Sequence, residues 1–295
     1  MEAKKRKAGA TTPVYVLDTF SRKAGDHAFY MESLKSHLRD HAFVNKPHKH
    51  DFYLLLFVTH GEGVHIIDFK PYRVYPGTAF TMTPGQVHSW TLSNDADGYI
   101  IFFRQEFYQM QLNERALLDF PFFHSLGATP LIQLKNDNVL SLILEEMHDE
   151  FHKDRPDLRM LRSYLDIVLL KLARAYDAKV DSSLELNVHK IRKVEQLIEE
   201  HFRKFKQPAE YASLMNLTPS YLNSICKAGT GKTLTDLIGE RIILEAKRLF
   251  AYTDLSVKEV AQNLGYQDSS YFPRFFRKKA GVTPDNFRRS INRPE

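Results

Sequence analysis

A chain of 295 residues exceeds the roughly 100–200 residues typical of one domain, so about two domains, each with its own core, are expected. Its 43% hydrophobic, 26% charged and 12% aromatic residues, with 13 Gly and 13 Pro, exclude a collagen-like, low-complexity or wholly disordered chain. No apolar run approaches the ~18 residues of a membrane span, and the basic start Met1-Glu-Ala-Lys-Lys-Arg-Lys lacks the apolar stretch of a signal peptide, so a cytoplasmic protein with no membrane partner is expected.

Residues 1–12 are basic, then rich in Gly, Ala and Thr, and are expected to be a flexible tail leading into an arm that ends near residue 22. Short β-type runs follow, separated by turn residues: Phe52 to Thr59, Val64 to Phe69, Ala79 to Thr83, Val87 to Leu92 and Gly98 to Arg104. They predict a small β-barrel or sandwich over 23–134. From about Asn136 the apolar period becomes helical, with Leu140, Ile143, Leu144, Met147 and Phe151 on one face, a break at Arg155-Pro156-Asp157, and a second helix to about Asp177. In that second helix Leu158, Leu161, Leu165, Val168 and Leu172 recur at three- and four-residue steps, the spacing of a packing seam. The seam serves either the core of the same chain or a dimer interface, and 135–177 is taken as a helical dimerisation segment. A polar, aperiodic linker is expected over 178–187.

The last third, 188–295, carries the basic excess. From His189 onward 19 Lys and Arg face 12 Asp and Glu, a net of +7, which leaves −2 for the rest. Such asymmetry favours a polyanionic partner. The same third contains an internal repeat: Ala212 pairs with Ala261 and Asn216 with Gly265 at an offset of 49, whereas Leu222 pairs with Phe272, Cys226 with Phe276 and Gly231 with Gly281 at an offset of 50. Each copy reads as a short helix, a tight turn and a second helix, over about 208–228 and 256–279, with a connecting helix over about 234–252. Local chemistry agrees. Pro208 opens the first short helix, Asn216 tolerates a left-handed turn, and Thr218-Pro219 supplies an N-cap with Pro behind it; Ser256 and Glu259 form a capping box, Gly265 closes the turn, and Asp268 is expected to cap the next helix. A helix-turn-helix lays its second helix in the major groove of double-stranded DNA. The connector, at 1.5 Å per residue, spans about 28 Å, so the two reading helices fit successive major grooves ~34 Å apart.

The stretch Val257-Lys-Glu-Val-Ala-Gln-Asn-Leu-Gly-Tyr-Gln-Asp-Ser-Ser-Tyr-Phe-Pro-Arg-Phe-Phe-Arg-Lys-Lys-Ala-Gly-Val-Thr-Pro-Asp-Asn-Phe-Arg288 resembles the signature of the AraC/XylS family of bacterial transcription regulators. The likeness covers about the last 105 residues, and a barrel followed by paired helices resembles the family's sensor part. It implies an α+β chain: a cupin-like sensor domain, then an all-α DNA-binding domain with two helix-turn-helix motifs. It implies a regulator, not an enzyme, commonly an activator, acting as a homodimer on promoter DNA and on RNA polymerase. By the same likeness Ser220, Asn223 and Ser224 in the first reading helix, and Ser270, Pro273 and Arg274 in the second, face bases. Tyr221, Lys227, Ser269, Arg277 and Lys278 complete the expected DNA-binding set. Pro273 removes one backbone donor from its helix. Arg274 is the leading base reader, with bidentate reach to guanine.

In the barrel, Pro47-His-Lys-His-Asp-Phe-Tyr53 and Pro84-Gly-Gln-Val-His88 resemble the two histidine motifs of cupins. His48 and His50 share a strand face. With His88 they form a weak candidate set for a metal, weakened by Leu54 and Leu55 where the pattern has Glu and by Leu92 where it has Asn; no cofactor is expected. A small-molecule effector is expected in an apolar cavity lined by His48, His50, Phe52, Tyr53, His65, Phe80, His88 and Trp90, the last being the chain's only Trp. Two rivals remain: a metal-dependent cupin enzyme with a helical tail, and a nonspecific nucleic-acid binder.

Overall fold

The computed structural model describes residues 13–20, 28–109, 117, 120–123, 128–134, 138–177 and 185–291. The chain divides into two compact units, one from Pro13 to Arg192 and one from Lys193 onward.

The first unit contains, in chain order, strand β1 (Val14–Tyr15), β2 (Phe29–Ser33), helix α1 (Leu34–Asp40), β3 (Lys49–His50), β4 (Tyr53–His60), β5 (Gly63–Ile67), β6 (Lys70–Val74), β7 (Thr78–Met82), β8 (His88–Leu92), β9 (Asp97–Phe103), α2 (Gln105–Gln109), β10 (Leu131–Gln133), α3 (Asn138–His152) and α4 (Leu158–Asp177). An antiparallel five-stranded sheet, β10-β7-β4-β9-β2, faces a three-stranded one, β6-β5-β8, and β1 runs parallel to β3. Strand β4 shows why its sequence is apolar without alternation. Leu54, Leu56 and Val58 enter the core between the two sheets, together with Ile67, Trp90 and Phe102. Tyr53, Leu55 and Phe57 enter a second core on the other face, where α3 and α4 cover the sheet. A central strand buried on both sides needs apolar residues at both parities. Beside it, Gly98 has φ +151°, and a Cβ there would stand 1.9 Å from the carbonyl oxygen of Phe57, so the close approach of β9 to β4 at this point requires glycine.

Three expectations are corrected. The arm is not loose between Pro13 and Phe20: β1 pairs with β3, and Leu17 and Phe20 are buried in the core between the sheets. The tail, 1–12, and residues 21–22 lie outside the described residues. The seam of α4 is interior: Leu161, Leu165, Val168 and Leu172 are fully buried against the sheet and α3, while Leu158 is 36% exposed. An apolar stripe that the chain's own sheet covers is not available to a partner. The expected linker also ends early, because helix α5 (Glu185–His201) begins inside it; residues 178–184 lie outside the described residues.

The second unit continues with α6 (Pro208–Leu214), α7 (Pro219–Thr230), α8 (Leu234–Tyr252), α9 (Val257–Asn263), α10 (Phe272–Ala280) and α11 (Pro284–Ile291). Helix α8 matches the expected connector and is the hub: α7, α9, α10 and α11 all pack on it. It is buried at Leu237, Ile238, Arg241, Ile242, Glu245 and Ala246 on one side and also at Gly239, Ile243 and Phe250, which carries the buried surface past half of its circumference. A helix surrounded in this way is held by its neighbours and keeps its length.

Candidate nucleic-acid interface and sensor core

The two helix-turn-helix copies close identically. After α6 the backbone turns through Asn216 at φ +53°, and after α9 through Gly265 at φ +82°. The amide of Leu217 then donates to the carbonyl of Ala212 at 2.9 Å, and the amide of Tyr266 to that of Ala261 at 3.0 Å, equivalent bonds in the two copies. At the second turn only glycine fits, since a Cβ on Gly265 would lie 1.8 Å from the carbonyl oxygen of Arg203. Thr218 caps α7 through the amide of Tyr221, with Pro219 behind it. A capping box joins Ser256 and Glu259 on α9, and a second one, unforeseen, joins Gln207 and Glu210 on α6. Ser256→Ala is expected to cost about 1 kcal/mol of stability, read as a small fall in the helical melting temperature by circular dichroism.

Helix α7 buries Leu222, Ile225 and Cys226 and leaves Ser220, Tyr221, Ser224 and Lys227 exposed. Asn223 is half-buried, and its side-chain oxygen accepts the amide of Leu234 at 3.0 Å, so its carbonyl end holds the start of α8. Helix α10 buries Phe272 and Phe276 and exposes Arg274, Arg277 and Lys278. Pro273 and Ser269 are half-buried.

Asp268 does not cap α10. That helix starts at Phe272, with its first backbone bond from the amide of Phe275 to the carbonyl of Tyr271 at 3.1 Å. Pro273 has no N–H to extend the ladder backwards. Asp268 instead accepts the amide and the hydroxyl of Ser270, each at 2.8 Å. These bonds, the backbone one first, with Arg274 nearby, hold its carboxyl below the usual range. The Ser270 hydroxyl is therefore a donor already in use. At the other end Lys279 donates to Asp236 at 2.6 Å and ties α10 to α8. That bond, with one from Thr233, lowers the Asp236 carboxyl to about 2. Three cations, Arg277, Lys278 and Lys279, stand in the last turn of α10, where the helix dipole favours them.

In the first unit, seven of the eight expected effector residues converge on the space between the sheets: His48, His50, Phe52, His65, Phe80, His88 and Trp90 are all buried there. Tyr53 does not join them. It stacks on Phe103 in the opposite core and lines an outer cleft of about 590 Å³ with Asp51, Pro84 and Arg104. Strand parity is the reason, since Tyr53 and Phe52 point to opposite faces. Tyr30 and His37, which sequence reasoning missed, complete the cluster: the Tyr30 hydroxyl and His37 Nδ1 are 3.0 Å apart. His37 arrives on α1, and no spacing in the sequence ties it to the other histidines.

The histidines are neutral. Burial pushes His37, His50 and His65 down to about 3, helped by neighbouring imidazoles, and lowers His48 and His88 as well. Their hydrogen bonds fix what they offer. His50 Nδ1 lies 2.8 Å from the carbonyl of Phe52, which can only accept, so Nδ1 carries the hydrogen and the orphaned Nε2 presents a lone pair. His65 Nε2 and His88 Nδ1 share one hydrogen at 2.9 Å. Whichever donates, the orphaned outer nitrogens, His65 Nδ1 and His88 Nε2, are one donor and one acceptor. As a metal site the set fails. Among the described residues His48, His50 and His88 do not bring three ring nitrogens within 4.8 Å of one another.

The comparisons follow the same division. The AraC-like ligand binding domain family matches residues 29–165, and the helix-turn-helix domain family matches residues 211–290. The chain is 24% identical over 254 residues to the HTH-type transcriptional activator RhaR of Salmonella schwarzengrund, covering 84% of this chain and 88% of that one. It is also 24% identical to RhaR of Cronobacter sakazakii, over 80% of this chain and 84% of the relative. Among solved structures, fatty-acid-bound ToxT of Vibrio cholerae aligns over 90% of this chain and 96% of its own, at 12% identity and a TM-score of 0.44. The C-terminal domain of AraT, a response regulator from Geobacillus stearothermophilus, aligns over 36% of this chain and 88% of its own, at 29% identity and a TM-score of 0.33. Among the described residues no helix is long and apolar enough to cross a membrane. With a ligand-binding sheet domain ahead of a duplicated helix-turn-helix, the chain belongs to the AraC family of transcriptional regulators.

Proposed function

We propose that the chain is a cytoplasmic, homodimeric activator that reads a promoter through α7 and α10, contacts RNA polymerase and responds to a small effector held between its two sheets. The activator sign rests on the RhaR relatives, which carry that description. The base-reading assignment rests on one observation: Arg274, Arg277 and Lys278 stand exposed on a helix whose apolar side, Phe272 and Phe276, is buried against its own domain. In this reading Arg274, in the first turn of α10, meets base edges, Arg277 and Lys278 with Lys227 neutralise phosphates, and Ser220, Tyr221 and Ser224 supply contacts from α7. Asn223, Ser269, Ser270 and Pro273 shape and hold the two helices. Because the α4 seam is interior, a homodimer uses other residues, and Leu142 and Ile167 are exposed apolar side chains on α3 and α4.

The effector reading rests on the orphaned ring nitrogens of His37, His50, His65 and His88. They include both donors and acceptors, so a small polar molecule with hydroxyl groups, which do both, satisfies them. The regulator reading is tested by selecting preferred duplexes from a random pool and repeating the selection with Arg274→Ala. The variant is expected to lose about 1–3 kcal/mol of discrimination at one base pair. Affinity falling equally on every duplex would make Arg274 a phosphate contact, and the absence of any preferred sequence for the parent protein would overturn the reading.

A further inference from the structure

We propose that Glu32, His148 and His152 form a binding site for a divalent transition metal of the zinc class, which clips helix α3 to strand β2. Among the described residues this is the set of three His, Cys, Asp or Glu side chains whose ligand atoms come within 4.8 Å of one another. It lies at the edge of the five-stranded sheet, where α3 packs on the outer strand β2. His148 and His152 are four residues apart on α3, so they share a face, with ring centroids 4.2 Å apart. Their Nε2 atoms stand 3.4 Å and 3.3 Å from the two oxygens of Glu32.

The contact of His152 does not close as an ordinary hydrogen bond of a neutral ring. His152 Nδ1 lies 2.8 Å from the carbonyl oxygen of His148. A carbonyl only accepts, so Nδ1 carries the hydrogen, and in a neutral ring Nε2 then points a lone pair at a carboxylate oxygen, another acceptor. A positive charge makes that contact attractive, either a proton on His152 or a metal ion bound by both groups. One metal ion serves both imidazoles and the carboxylate together. The dimensions suit a metal: bonds of about 2.0–2.1 Å in a tetrahedron put ligand atoms about 3.3–3.4 Å apart. Two imidazoles and one carboxylate are a donor set that takes zinc, cobalt or nickel before calcium or magnesium. The supporting shell is present as well. The His148 carbonyl orients His152, and the Ser33 amide donates to Glu32 at 2.9 Å. His152 is 41% exposed, which leaves the ion an entry path and a position for water.

The test uses the full chain without a histidine tag, stripped with a chelator and titrated with cobalt, then zinc. One equivalent of cobalt is expected to bind with the visible absorption of a four-coordinate ion and to be displaced by zinc. His148→Gln, His152→Gln and Glu32→Gln are each expected to weaken binding at least about tenfold. Zinc is expected to raise the melting temperature of the parent protein and not that of the variants. His148 and His152 lie on a partly exposed helix face, and unchanged circular dichroism and Trp90 emission would show that their variants fold. Unchanged cobalt stoichiometry and affinity in the folded double variant His148→Gln/His152→Gln would overturn the proposal, as would failure of the parent protein to bind either metal.

Discussion

Lowering the pH from 7 to 5 is expected to unfold the sheet domain, seen as loss of the buried Trp90 emission. Three histidines there, His37, His50 and His65, are held down to about 3 by burial, and His88 is lowered with them. In the unfolded chain the same groups titrate near 6.5. As the pH falls below that value the unfolded state takes up protons that the folded state refuses, so stability drops progressively between 6.5 and 3. At pH 5 each of the three histidines held to about 3 costs about 2 kcal/mol, and together they rival the lower part of the roughly 5–15 kcal/mol that holds a domain. His37→Phe, among the aromatic rings of Phe20, Tyr30 and Phe102, is expected to move the midpoint to lower pH and to reduce the proton uptake by about one. Emission from Trp90 unchanged down to pH 4 would show that these imidazoles are solvated. An effector that pairs the orphaned nitrogens of the neutral rings is expected to shift the transition to lower pH, because it binds the folded state alone.

Most turns and caps of the helical third were legible because their signals are local, Asp268 being the exception. Thr218-Pro219, the Ser256 and Glu259 box, Gly265 and the repeat offset each fix a backbone event within four or five positions, and α8 begins and ends where the pattern puts it. The sheet domain was legible only in outline. Its hairpin between β5 and β6 turns on Asp68 and Phe69, both at positive φ, without the Gly or Asn that marks such turns, so the expected strand ran on to Phe69. The alternation that placed His48 and His50 together held, yet Tyr53, on the other parity, went to the opposite core. The α4 seam shows the same limit. Its spacing announces burial, and only the fold reveals that the cover is the chain's own sheet. Asn223 and Ser270 were readable as polar and exposed helix residues, but their bonds to Leu234 and Asp268 depend on where the next element starts.

Arg241→Ala is expected to destabilise the helical domain by about 3–5 kcal/mol while leaving the Trp90 transition of the sheet domain in place. Arg241 is 5% exposed and clasps Glu199 of α5 through two bonds, at 2.6 Å and 2.7 Å, while a third at 3.1 Å reaches Glu245 one turn along α8. Its guanidinium also lies 4.0 Å from the ring centre of Phe202. Burial by itself would raise the Glu245 carboxyl, but Arg241 and Arg248, with Arg203, hold it at about 2. Removing Arg241 leaves Glu245 to Arg203 and Arg248 alone, at 3.0 Å and 3.3 Å, and takes away the clasp on Glu199 and the packing on Phe202, so the lost tie between α5 and α8 sets the size of the effect. The variant Arg241→Met, which keeps the packing on Phe202 and leaves Glu245 with Arg203 and Arg248, is expected to recover part of the loss, measured in urea with circular dichroism for the helices and Trp90 emission for the sheets. A methionine variant as unstable as Arg241→Ala would place the cost in the ion pairs. The network sits on α8, the rod that sets the distance between α7 and α10. A domain loosened there is expected to lose preferred-sequence binding before it loses its helices, since two reading helices serve one operator only while their spacing is fixed.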